Sequence, residues 1–141
     1  MADSSSQYEQ RGNPDGMRTL AKSSRLPIER LRYVPDSETS LLHEIKRGIL
    51  FVMAFWSGPS IKAFNQLTEI VNRLDPNGTL EFVVIDADGA EAFYGHPDFK
   101  GQLRGAGETA WIIDGVIQRT SGLGYNPDCF ELNTVELLAA K

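Results

Sequence analysis

The sequence predicts an α/β protein in which a central mixed β-sheet is flanked by helices. Three observations carry that expectation. ILFVMAF (49–55) and LEFVVIDAD (80–88) are near-continuous apolar runs, the pattern of strands covered on both faces. Between them, PSIKAFNQLTEIVNRL (59–74) places Ile61, Phe64, Leu67, Ile70, Val71 and Leu74 on one helical stripe, with Lys62, Gln66, Glu69 and Arg73 facing away. Strand, helix and strand in this order form a parallel unit with a right-handed crossover. TAWII and VIQRT then flank Asp114-Gly115, a two-residue hairpin signal that adds antiparallel strands.

The other elements follow in chain order. The first sixteen residues are rich in Ser, Gln, Gly, Asn and Asp and offer little apolar burial against the entropy of ordering, so they are expected to be disordered. MRTLAKSSRLPIERLR (17–32) carries five basic residues and one acid. It reads as a solvated linker or an arm for an anionic partner, so residues 1–32 are taken as a flexible N-terminal arm and 33–141 as the domain. TSLLHEIKRG (39–48) reads as a helix capped by Thr39 or Ser40, with Leu41, Leu42 and Ile45 inward and Gly48 as stop. DPNG (75–78) ends the long helix, and a short helix is expected around Ala90–Tyr94. Asp128 is expected to cap a closing helix through Leu138, with Phe130, Leu132, Val135 and Leu138 as buried positions. The whole reads βα, βαβ, α, ββα.

Composition narrows the function classes. The 141 residues suffice for one domain with a real core. The net charge of −5 divides unevenly: eight basic and seven acidic residues up to Arg47 give +1, while six basic and twelve acidic residues beyond it give −6. An acidic body disfavours nucleic-acid binding, which needs clustered Lys and Arg. A single cysteine, Cys129, excludes an intramolecular disulfide and a cysteine metal cluster. The N-terminus lacks the apolar core of a signal peptide, and no stretch approaches the roughly 18 apolar residues that span a membrane. A cytoplasmic protein is expected.

WSGPS (56–60) lies between the first apolar strand and the long helix, and it resembles the Trp-Cys-Gly-Pro-Cys motif of the thioredoxin family. LRG (103–105), the strand-opening Thr109 and the Asp114-Gly115 hairpin also fall in family order. The resemblance implies a thioredoxin-like fold over roughly residues 33–141. It also implies a shallow, mostly apolar docking surface for protein around Trp56, Pro59 and the loop of Ala106, Gly107 and Glu108. The family's chemistry does not transfer. Dithiol exchange needs an attacking thiolate and a second thiol that resolves the mixed disulfide. Ser57 and Ser60 stand in both places. Where the family has a buried acid in the preceding strand this chain has Phe51, and where it has a cis-proline before the strand-opening Thr this chain has Glu108.

The sequence therefore reads as a redox-inactive thioredoxin-like protein serving as a protein-binding, chaperone-like or accessory module, with no cofactor. The alternative is an enzyme that activates a thiol-containing ligand such as glutathione with Ser57, or a single-cysteine redox sensor. Cys129, at the start of the last helix, is the possible reactive thiol: helix N-termini favour thiolate, while the adjacent Asp128 opposes it. Ser57 also suits a helix cap, and Pro59 a first-turn position. His43 and His96 lack metal-ligand spacing, DADGAEAFYGHPD lacks the ligand order of a calcium loop, and no metal is assigned.

Overall fold

A computed structural model of the chain describes residues 15–94, 96–99, 105–121 and 127–140. Its elements are α1 (Gly16–Ser23), β1 (Leu31–Val34), β2 (Arg47–Met53), α2 (Gly58–Leu74), β3 (Glu81–Asp86), α3 (Glu91–Tyr94), β4 (Thr109–Ile113), β5 (Val116–Thr120) and α4 (Pro127–Ala139). One five-stranded sheet runs in the order β1-β3-β2-β4-β5. β2 and β3 pair in parallel, as the crossover requires, and β1 joins β3 in parallel. β4 pairs antiparallel with β2, and β5 with β4. The hairpin turn has Asp114 at φ +50° and Gly115 at +79°, the left-handed pair that a two-residue loop between twisted strands demands.

The continuous apolar runs are explained by two cores. Alternation along each strand sends Ile49, Phe51 and Met53, Phe82 and Val84, and Trp111 to one face, beneath α1, α2 and α4. Leu50, Val52, Val83, Ile85, Ala110 and Ile112 go to the other face. There they meet Leu41, Leu42 and Ile45 from the 39–45 segment, and Phe93 and Phe99.

Three expectations are corrected. The boundary after residue 32 falls too late, because the described part of the arm is folded: Leu20 is fully buried, Leu26 nearly so, and Leu31 opens β1. Asn65 Nδ2 donates to the Ser23 carbonyl and the Arg25 N–H donates to Thr68 Oγ1, which ties this segment along α2. Residues 1–14 lie outside the described residues. Thr39–Glu44 is a 3-10 turn rather than an α-helix through Gly48, since Arg47 and Gly48 already belong to β2.

On α4 the inward face is Phe130, Asn133, Thr134 and Leu137, while Leu132 and Val135 are exposed. The inward set has the i, i+3, i+4, i+7 spacing of one helical face. Its polar members have partners: Thr134 Oγ1 accepts from Trp111 Nε1 at 3.1 Å and donates to the Phe130 carbonyl at 2.8 Å.

Candidate functional site at the start of the second helix

The site grows from the carboxyl end of β2, where the chain leaves the sheet at Ala54 and re-enters regular structure at Gly58. Ser57 sits between in extended conformation and caps α2. Its Oγ accepts from the Ser60 N–H at 3.4 Å, a long bond, and donates to the Gly105 carbonyl at 2.5 Å. The Ser57 carbonyl takes the Ile61 N–H. Pro59 occupies the first turn, where its missing N–H costs nothing. Ser60 is fully buried; its Oγ accepts from the Ala54 N–H at 3.0 Å and donates toward Met53 Sδ at 3.5 Å. Both hydroxyls are thus structural ties, one between loops and one back onto the strand.

The facing wall is the segment 105–109. Gly105 and Gly107 have φ of +75° and +88°, a left-handed backbone that disfavours side chains. A Cβ on Gly105 would lie 2.6 Å from Trp56 Cη2, so the indole rests directly on this backbone. A Cβ on Gly107 would collide with the Ala63 methyl of α2, with Phe51 close behind. Phe51 is fully buried and stacks on Phe64, so the strand position beneath the motif is sealed with an aromatic ring.

Glu108 is 1 % exposed, and its carboxylate accepts from the Ala106 N–H at 3.2 and 3.4 Å. Its carbonyl takes the Val52 N–H at 2.9 Å, which continues the β2–β4 ladder past Thr109. No peptide bond among the described residues is cis.

The predicted surface residues therefore divide. Trp56, 67 % exposed, and Pro59 face solvent, and Ala106 is half-buried. Gly107 and Glu108 are corrected from surface to support, since both are buried behind the indole. Gly105 was missed as a site residue. The signal was present, because GAG beside a motif tryptophan marks a close backbone approach.

The remaining candidates lie elsewhere. Cys129 is half-buried in the first turn of α4 and packs against the helix-side core. Burial pushes its thiol up from the ordinary range; the hydrogen bond from Asn133 Nδ2 at 3.1 Å works the other way without overcoming it. His43 is exposed, and His96 Nδ1 accepts from the Asp98 N–H within its own turn. Asp86 is buried and accepts from the Tyr33 hydroxyl and the Asp88 N–H. Among the described residues no cluster of His, Cys, Asp and Glu is placed to hold a metal ion, and no helix is long and apolar enough to cross a membrane.

No family model matches the chain. No curated protein matches it either. Solved structures do. The chain is similar to thioredoxin from Trypanosoma brucei brucei, with a TM-score of 0.60 and 17% identity, over 78% of this chain and 92% of that one. It is similar to mitochondrial thioredoxin 3 from Saccharomyces cerevisiae in its oxidised form, with a TM-score of 0.59 and 15% identity, over 77% and 96%. A chain from a study of thiol resolution in a yeast mitochondrial 1-Cys peroxiredoxin gives 0.58 and 18%, over 75% and 94%. With a mixed sheet in this order, a Trp-X-Gly-Pro-X turn opening the helix after β2, and these likenesses, the chain has the thioredoxin fold.

Proposed function

We propose that this protein is a redox-inactive thioredoxin-like binding module that holds a protein partner against the Trp56 face. One observation carries the reading: an indole two-thirds exposed stands over a site whose two hydroxyls are both committed to internal hydrogen bonds. A large apolar side chain kept in water and braced from below by a glycine backbone suits an anchor at an interface. The positions that would carry the exchange reaction hold Ser57 and Ser60, and a hydroxyl neither attacks nor resolves a disulfide at neutral pH.

The same commitments count against the alternative. Ser57 Oγ donates to Gly105 and accepts from Ser60, so activating a thiol ligand would first require breaking both bonds. For Cys129, burial that raises the thiol pKa lowers the thiolate fraction that a sensor needs. A cytoplasmic setting, with partner binding, chaperoning or assembly as the role, fits the module reading.

The test is affinity capture from the native cell extract with full-length protein and its Trp56→Ala variant, both verified as folded by circular dichroism. The reading expects a stoichiometric partner on the unmutated bait that the variant loses. Equal capture by both would overturn it.

A further inference from the structure

The backbone of the site is closed to strand pairing, and this constrains what the Trp56 face receives. Along 105–109, the carbonyl of Gly105 takes the Ser57 hydroxyl, that of Gly107 the Thr109 hydroxyl, that of Glu108 the Val52 N–H and that of Thr109 the Ser121 N–H. The Ala106 N–H is held by the Glu108 carboxylate and the Thr109 N–H by Ser121 Oγ. On the opposite wall Pro59 has no N–H, and those of Ser60 and Ile61 are taken by Ser57.

An extended peptide laid here would bury its own N–H and C=O groups against a backbone that is already paired, and each unpaired buried group is costly. A helix brings no such debt, because its backbone groups are satisfied within itself. We infer that the occupant of the Trp56 face is a preformed amphipathic helix of the partner, whose apolar residues pack on the indole and Pro59, and not an extended strand. This rests on the binding-module reading and names the partner's conformation.

The test pans two displayed libraries against the full chain, with Trp56→Ala protein as the counter-selection. One library is a stable helical scaffold randomised along one helix face; the other consists of short linear peptides interrupted by proline. The helical library is expected to yield clones that bind the unmutated chain at least about ten-fold tighter than the variant, the loss expected for an aromatic anchor. Hydrogen exchange at residues 105–109 should not change in those complexes. Trp56-dependent linear clones that newly protect these amides would overturn the inference, and so would enrichment from neither library. If cellular capture remains Trp56-dependent while the helical library fails, the helix inference falls and the module reading stands. If Trp56→Ala keeps its cellular partner, both fall.

Discussion

Replacing Ser57 by alanine separates a structural hydroxyl from a chemical one. The side chain makes two bonds: it caps α2 through the Ser60 N–H at 3.4 Å and closes the loop onto the Gly105 carbonyl at 2.5 Å. Loss of an N-cap costs about 1 kcal/mol, and the long cap bond places this site no higher than that. A neutral hydrogen bond contributes about 0.5–1.5 kcal/mol, which is the loss at Gly105. Together Ser57→Ala should destabilise the domain by about 1.5–2.5 kcal/mol, or roughly 5–8 °C in Tm for a domain of this size.

Urea unfolding followed by circular dichroism reads the change, with an unaltered m-value as the sign that only stability moved. Titration with millimolar glutathione should give no saturable binding for either protein. A Tm within 1 °C of the parent would refute the tie between loops. Saturable glutathione binding that the variant loses would restore the thiol-ligand alternative.

Three further outcomes follow from the same structure. Deleting residues 1–30 removes Leu20 and Leu26 from the core, each about 1.5–3 kcal/mol of burial, so the shortened protein should lose much of its stability; an unchanged Tm would mean that α1 does not hold the core. Asp75→Asn breaks a carboxylate, 3 % exposed, that accepts from Thr79 and Leu80 and pairs with Arg30 at 2.9 Å, and should cost about 3–5 kcal/mol. Burial alone would raise the Asp75 pKa, but the Thr79 and Leu80 hydrogen bonds and the Arg30 charge together hold it below its ordinary value.

The folded state therefore gains stability from this ionised group above about pH 4 and loses it as pH falls through the lowered pKa. Asp75→Asn should flatten that part of an acid-unfolding curve, and an unaltered slope would contradict the assignment. Cys129 in the folded protein should react with a maleimide or disulfide reagent at neutral pH more slowly than a free thiol, and labelling as fast as a free thiol would reopen the sensor reading.

How much was legible from residues follows from what each signal depends on. β2, α2 and β3 were readable because burial on both faces or on one stripe writes itself as a run or a period. The hairpin was readable because only a few residue pairs take its left-handed turn. The folded segment from Gly16 to Leu31 was not, because it buries only Leu20 and Leu26 between solvent-facing arginines and lysine, and composition averages them away. The α4 face was misread because Asn133 and Thr134 point inward. Their burial depends on Trp111 and Cys129, partners far along the chain or within a single turn that no hydropathy pattern reveals. At the site, the serines announced lost thiols, but not that both hydroxyls and the Glu108 carboxylate are spent on holding the loops.

The most direct measurement of the central claim is the affinity of the captured partner for four proteins in both oxidised and reduced thiol buffer. These are the parent, Trp56→Ala, Ser57→Ala and Cys129→Ser. A binding face without exchange chemistry predicts one affinity across both buffers and little change in Cys129→Ser. It predicts a loss of about 2 kcal/mol or more, roughly thirty-fold, in Trp56→Ala. A complex that forms only in oxidised buffer and vanishes with Cys129→Ser, while Trp56→Ala binds as the parent does, would contradict the account.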